Sequence, residues 1–113
     1  MDCIFCKIVN KTIPADIVYE DADLLAFNDI RPKAPIHQLI IPKKHIATVN
    51  DIAELDAGLV AKMILTAKKL AADANKATDG YRLVLNCNAG GGQEVYHLHL
   101  HLLAGRQMTW PPG

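Results

Sequence analysis

The segment from His97 to Leu103 alternates histidine with leucine, and this pattern constrains the fold more than any other in the chain. Successive side chains of a β-strand point to opposite faces of the sheet. The alternation therefore predicts a strand over residues 95–103, with one apolar face packed on the core. The leucines of that face are Leu98, Leu100 and Leu102, and the row on the other face is His97, His99 and His101.

Hydrophobic periodicity predicts the remaining elements. A short helix is expected over residues 3–10, strands over 17–20, 24–30, 37–42 and 81–88, and one long helix over 56–76. Asp51 or Asp56 is expected to cap the long helix and Gly80 to stop it. Consecutive hairpins without βαβ alternation indicate an α+β fold with a mostly antiparallel sheet of five strands. The length of 113 residues predicts one domain over 1–113.

Composition excludes several classes of protein. Half of the residues are hydrophobic and the formal net charge is zero, so neither disorder nor a basic surface for nucleic acid is expected. No apolar run approaches the roughly 20 residues that span a bilayer, and the N-terminus does not resemble a secretory signal. Three cysteines, an odd number, argue against a disulfide scaffold and for a reducing compartment, the cytoplasm.

The histidine row permits three interpretations: a metal site, a catalytic row, or an ordinary strand. On a straight strand His97 and His101 lie about 13 Å apart at the backbone, whereas zinc needs nitrogen at about 2.0–2.1 Å, so a three-histidine metal site fits poorly. A neutral imidazole is a nucleophile near pH 7, and its neighbours can hold its tautomer and donate protons. The glycine-rich loop 90–92 directly upstream favours phosphate as the electrophile, because backbone N–H groups approach phosphate closely there.

These residues carry a resemblance to a known family. The stretch "GGQEVYHLHLHLLAGRQMTWPPG" resembles the histidine triad (HIT) family, whose signature alternates histidine with apolar residues. Two further segments, "CIFCKIVNKTIPADIVYEDADLLAFNDI" and "APIHQLIIPKKHI", together with the ending "RQMTWPPG" of that stretch, resemble its Hint branch, the histidine triad nucleotide-binding proteins. The resemblance implies a homodimer whose two sheets join into a continuous ten-stranded sheet. It also implies hydrolysis of purine nucleoside phosphoramidates, such as adenosine 5′-monophosphoramidate, aminoacyl-AMP or lysyl-AMP.

The resemblance also assigns roles within the row. His99 is implied as the nucleophile that forms a covalent nucleotidyl-histidine, His101 as a phosphate contact, and His37 as support for that network. His97 is a candidate catalytic neighbour. Asp29 is implied to hold the ribose hydroxyls, and the implied nucleotide contacts also include Ile4, Phe5, Ile8, Phe27, Ile30, Asn86, Gly92, Gln93 and Glu94.

Glu94 departs from the family pattern. Familiar Hint proteins have a serine at this position, beside the phosphate. A hydroxyl donates hydrogen bonds, whereas a carboxylate only accepts them and repels phosphate. Its side chain is therefore expected to point to solvent, leaving the backbone N–H for the phosphate, and leaving-group preference is expected to shift.

Cys3 and Cys6 have the spacing of metal ligands, and His45 and His97 are the remaining candidate ligands. Some histidine triad relatives hold zinc with such a set, and a closed site of four ligands is structural rather than catalytic. The alternative is two small apolar residues on a short helix. No cofactor is expected to be required for catalysis.

Two further classes of function stay open at this point. One is a purine nucleotide-binding regulatory module with incidental hydrolysis, and the other is a dinucleoside polyphosphate hydrolase. A zinc hydrolase that uses the row predicts loss of activity on chelation. The tail containing Trp110 is implied to pack across the dimer, near the partner's site.

Overall fold

The computed structural model describes residues 3–113. Two α-helices are present, α1 (Ile4–Val9) and α2 (Ala57–Asp73), together with 3-10 turns at Val49–Asp51, Glu54–Asp56 and Ala89–Gly91. The five strands are β1 (Ile17–Glu20), β2 (Leu24–Asn28), β3 (Ile36–Pro42), β4 (Tyr81–Val84) and β5 (Leu100–Ala104). Within this range, neither α1 nor α2 has the length and apolar character needed to cross a bilayer.

The strands form one sheet in the order β1-β2-β3-β5-β4, and every neighbouring pair is antiparallel. The order follows from short hairpin connections up to β3, after which the chain crosses through α2 before it returns as β4 and β5. The predicted α+β fold, with a five-stranded antiparallel sheet, one long helix and a short N-terminal helix, is confirmed.

Each face of the sheet is covered by one helix. Because side chains alternate along a strand, β2 sends Leu24 and Ala26 towards α2 and Leu25 and Phe27 towards α1. Leu98, Leu100 and Leu102 join the α2 side, as their alternation predicts. Full burial of each leucine stabilises the fold by about 1.5–3 kcal/mol, which fixes the register that sends the histidines to the α1 side.

The predicted strand 95–103 is wrong at its start, since β5 begins at Leu100. In the β3–β5 register Ile40 lies opposite Leu100, so continued pairing would set Leu98 opposite Pro42. Proline has no N–H to donate, and the Pro42 carbonyl accepts instead from the His97 ring at 2.8 Å. The segment before β5 is therefore irregular, held by a 2.6 Å bond from Leu98 N–H to the Ile46 carbonyl.

Two other predicted strands are too long. The strand predicted over 81–88 ends at Val84, whose pair with His101 is the last in the β4–β5 register, and Asn86 follows the strand instead of lying within it. The strand predicted over 24–30 ends at Asn28, so Asp29 and Ile30 lie in the loop that follows.

The ends of the long helix also differ from the prediction. Asn75, not Gly80, ends α2: it adopts a left-handed φ of 60°, and Lys76 N–H reaches back to the Ala71 carbonyl at 2.9 Å. At the other end Asp56 precedes α2, but its side chain accepts from Ala53 N–H and Lys44 Nζ instead of capping the helix. Asp51 instead forms a capping box with Thr48 at the 3-10 turn Val49–Asp51 and does not cap α2.

Candidate functional site

The histidine row lies at the start of β5, on the face of the sheet that α1 covers. Phe5 of α1 meets two of the imidazoles edge-on, with ring centroids 6.0 Å from His97 and 5.2 Å from His99. His101 lies opposite Leu39 of β3, which packs in the same apolar cluster as Phe5. The sheet register and α1 thus place the row against an apolar wall.

His99 is held in one tautomer by the backbone. Its Nδ1 lies 2.7 Å from the His97 carbonyl oxygen, and a carbonyl only accepts hydrogen bonds. Nδ1 therefore carries the proton and Nε2 keeps a lone pair. The residue is only 8% exposed, and burial lowers the pKa of His99. The result is a neutral imidazole with a free nucleophilic nitrogen at neutral pH.

His37 and His101 form a directed chain of hydrogen bonds. Lys33 N–H donates to His37 Nδ1 at 3.0 Å, so the His37 proton resides on Nε2. That Nε2 lies 2.9 Å from His101 Nδ1 and donates to it, which leaves the His101 proton on its own Nε2. Asp29 Oδ2 lies 3.5 Å from His37 Nε2, the atom that donates to His101.

The last donor in this series of hydrogen bonds is the Nε2–H of His101. His101 Nε2 is buried and meets no hydrogen-bond partner among residues 3–113. Burial, helped by the imidazoles of His99 and His37, lowers the pKa of His101 to about 4, and burial also lowers the pKa of His37. An unsatisfied buried donor costs about 1–3 kcal/mol, which an anionic oxygen of a ligand offsets when it binds there.

Gln93 fixes the glycine-rich loop. Its Oε1 accepts from Asn88 N–H at 2.9 Å, and its Nε2 donates to the Ala47 and Val95 carbonyls at 2.8 and 3.1 Å. The side-chain amide is therefore fully engaged by the protein. The structure places Gly92 and Gln93 at the loop bend, where Gly92 adopts a left-handed φ of 80°.

The residues implied as a base slot divide into two groups. Phe5, Ile8 and Phe27 are buried in the apolar cluster on the α1 side, so they serve the core whether or not they also face a ligand. Ile4 and Ile30 are exposed, Ile30 to 92%. Asp29 Oδ1 accepts from Arg31 N–H at 2.7 Å, which orders the loop between β2 and β3.

The four candidate metal ligands converge. Cys3 caps α1 by accepting from Cys6 N–H at 3.2 Å, which draws the two sulfurs together. His97 Nδ1 lies 3.3 Å from Cys3 Sγ, 3.5 Å from Cys6 Sγ and 3.1 Å from His45 Nδ1. Cys6 Sγ is 3.3 Å from His45 Nδ1, and all four atoms lie within 4.8 Å of one another.

The chemistry of this cluster fits a zinc ion. His97 Nε2 donates to the Pro42 carbonyl, so its Nδ1 presents a lone pair, an arrangement typical of metal-binding histidines. One lone pair cannot accept from three neighbours at once, whereas a central cation satisfies all four atoms. Tetrahedral zinc with these ligands has edges of about 3.3–3.8 Å, close to the distances observed.

Two partners in the site were not predicted from the sequence. They are the Lys33 N–H and the Pro42 carbonyl, which orient His37 and His97 respectively. Both are backbone groups, which every sequence contains, so no residue type marks them.

Comparison with known proteins identifies the family. A family model described as HIT domain matches residues 10–108. The crystal structure of a HIT family hydrolase from Legionella pneumophila Philadelphia 1 aligns with a TM-score of 0.98 and 62% identity, covering 99% of this chain and 100% of that one. The crystal structure of the histidine triad nucleotide-binding protein from Candida albicans aligns with a TM-score of 0.81 and 32% identity, covering 97% of this chain and 83% of that one. An uncharacterized HIT-like protein of Synechococcus elongatus is 51% identical over 99% of this chain and 97% of its own length. The chain therefore belongs to the HIT domain family and has the fold of its hydrolases.

Proposed function

We propose that this protein hydrolyses purine nucleoside phosphoramidates through a covalent nucleotidyl-histidine on His99. One observation carries the proposal: His99 has a free Nε2 lone pair beside the Nε2–H of His101, which meets no acceptor within residues 3–113, and the two ring centroids are 4.9 Å apart. A nucleophile next to a buried donor suits attack on an electrophile that carries anionic oxygens. The hydrolase and nucleotide-binding names of the Legionella and Candida relatives support this chemistry.

The proposed reaction has two displacements. His99 Nε2 attacks the α-phosphorus, the P–N bond breaks, and the leaving amine takes up a proton from solvent, so that His99 becomes a nucleotidyl-imidazolium. Meanwhile His101 Nε2–H donates to a non-bridging oxygen, which satisfies a donor that has no partner within residues 3–113. Water then attacks the phosphorus from the side of the departed amine and gives up a proton to solvent as the P–His99 bond breaks, which releases the nucleoside monophosphate and regenerates neutral His99. Asp29, beside the junction of His37 and His101, is proposed to bind the ribose hydroxyls as an acceptor.

A direct assay tests this function. We expect adenosine 5′-monophosphoramidate to be hydrolysed faster than a diadenosine polyphosphate. Peptide mass spectrometry after a single turnover should then find one nucleoside monophosphate attached to His99. Faster cleavage of the polyphosphate would support the dinucleoside polyphosphate hydrolase instead. Tight purine nucleotide binding with negligible turnover and no adduct would identify a regulatory module.

We propose a structural zinc ion at Cys3, Cys6, His45 and His97. Four protein ligands leave no coordination position for substrate, so the ion would hold α1 against the start of β5 and take no part in the reaction.

The expected zinc content is one ion per chain, measured by elemental analysis. Chelation should lower the melting temperature by about 10 °C, because the ion binds the preassembled ligands of the folded state more tightly than the unfolded chain. Cys6→Ser should lose the zinc and this response to chelator. Cys87→Ser, the matched control at a thiol outside the cluster, should keep both. A wild-type protein free of zinc and indifferent to chelation would contradict the proposal.

We also propose that the protein is a cytoplasmic homodimer. β4 forms one edge of the sheet and all four of its residues are half-buried, which suits pairing with a second chain. Trp110 is 82% exposed, and Arg82 Nη2 ties its tail to β4 by donating to the Thr109 carbonyl at 2.9 Å. The tail is thus available to a partner at that edge. Three free cysteines suit a reducing compartment.

A further inference from the structure

The four proposed zinc ligands are covered to different degrees. Cys3 is 7% exposed and His97 is fully buried, whereas Cys6 and His45 are only half-buried. The ring of Phe5 lies against the His97 ring, with centroids 6.0 Å apart, and covers the inner side of the cluster. An ion from solvent therefore reaches the cluster past Cys6 or His45.

A cavity opens on the His45 side of the cluster. Its volume is about 440 Å³, and two of the ligands, Cys3 and His45, line it. Ile4 and Tyr96 line it as well and are 49% and 45% exposed, so the cavity is open to solvent. Because a water molecule takes up about 30 Å³ of liquid, a hydrated ion fits inside. The cavity is thus a path from solvent to two of the four ligands.

Glu94 is the one acidic residue among residues 3–113 that lines this cavity, and it is exposed. Within the same range no salt bridge engages its carboxylate. Lys44, the basic residue that precedes His45, pairs with Asp56 at 2.7 Å, so its charge is compensated there. Glu94 therefore gives the cavity a negative charge, which attracts cations.

The backbone on either side of Glu94 is held in place. The side chain of Gln93 is buried and bonds to Asn88, Ala47 and Val95. Val95 also packs against the apolar cluster on the α1 side, and both Ala47 and Val95 line the cavity. The Glu94 side chain therefore extends from a fixed point in the cavity wall.

We propose that Glu94 captures an incoming Zn²⁺ ion in this cavity and passes it to His45 and Cys3. This inference rests on the zinc site proposed above. A carboxylate oxygen binds zinc at about 2.0–2.2 Å, so it replaces one water of the hydrated ion until the nitrogen and sulfur ligands displace it in turn. As the site fills, the two thiols release their protons to solvent.

The effect of Glu94 is expected on the rate of zinc exchange and not on the affinity. The entering ion carries two positive charges, which the carboxylate attracts. The filled site combines Zn²⁺ with two thiolates and two neutral imidazoles, so it has no net charge, and neither has the empty site with two thiols. Glu94 therefore stabilises the ion on its path more than at either end. Because entry and release share this path, both rates change by the same factor.

The test measures how fast bound zinc is exchanged for an isotopically enriched zinc ion added in excess, by mass spectrometry of the intact protein. We expect Glu94→Gln to exchange about three- to fivefold more slowly than wild type at low ionic strength, the size expected when one charge acts on a divalent ion across several ångströms of water. Added salt should reduce the difference. Asp73→Asn, which removes the same charge from α2 on the other face of the sheet, should exchange like wild type.

Equilibrium competition with a chelator separates the path of the ion from its final site. Wild type and Glu94→Gln should hold zinc with the same affinity and the same content of one ion per chain, which also shows that the variant is folded. Equal exchange rates would overturn the role of Glu94 and leave the zinc site standing. A lower affinity of Glu94→Gln would place Glu94 at the bound ion and overturn its role on the path. A wild-type protein free of zinc would overturn the zinc site and this inference with it.

Discussion

Replacing His99 by alanine is expected to lower the turnover of adenosine 5′-monophosphoramidate by about 10⁴-fold or more. The reason is the loss of the one imidazole in the row whose Nδ1 is protonated towards a backbone carbonyl and whose Nε2 lone pair is free. Steady-state hydrolysis and single-turnover labelling should fall together, because no adduct forms without the nucleophile. The loss should appear in kcat, while nucleotide binding persists.

His99→Gly provides the matched control. It removes the same ring and leaves a space that free imidazole can enter, so added imidazole should restore part of the turnover. The nucleotidyl group should then form on the added imidazole and not on the protein. Near wild-type turnover by His99→Ala, or a persistent adduct on another residue, would show that His99 is not the nucleophile.

His101→Ala is expected to lower kcat by about 10²–10³-fold, the usual loss when one donor to a developing anion is removed. The buried Nε2–H of His101 has no acceptor within the chain from Cys3 to Gly113, so substrate oxygen is the partner that completes it. His101→Gln retains an N–H donor at a similar distance from the backbone and should recover part of the loss. Stopped-flow measurement of adduct formation separates this effect from product release.

A double-mutant cycle of His37 and His101 tests whether His37 acts through its hydrogen bond to His101. His37 fixes the proton of His101 on Nε2 by donating to Nδ1 at 2.9 Å, so it acts as a positioning residue. His37→Ala should therefore cost little more once His101 is already alanine, since the two act as a unit. Fully additive losses would show that His37 contributes independently of His101.

The apolar alternation predicted the side of the sheet on which the row lies, because burial of Leu98, Leu100 and Leu102 admits one register. It did not predict where β5 begins. That boundary depends on Pro42 of β3, which lies far away in sequence and cannot donate to the strand that would pair with it. Strand ends are set by the partner strand, and single-sequence periodicity contains no information about the partner.

The position at which α2 ends was also not predicted from the sequence. Gly80 is the residue type that most readily adopts a left-handed conformation, yet Asn75 takes that role five residues earlier. Spacing identified Cys3 and Cys6 as candidate ligands and the family resemblance supported adding His45 and His97, and the structure brings the four ligand atoms within 4.8 Å of one another. The tautomers that give the histidines different chemistry depend on Lys33 N–H and the Pro42 and His97 carbonyls, which no side-chain pattern encodes.

His97 contributes different parts of one residue to two groups: its ring lies among the four proposed zinc ligands, and its carbonyl accepts the hydrogen bond from His99 Nδ1–H. Every amino acid that could replace it still has a carbonyl. The proposed zinc ligand can therefore be deleted by mutagenesis while the group that orients the proposed nucleophile is retained. Natural sequence drift has the same freedom, so the proposed zinc site can be lost without loss of that orienting carbonyl.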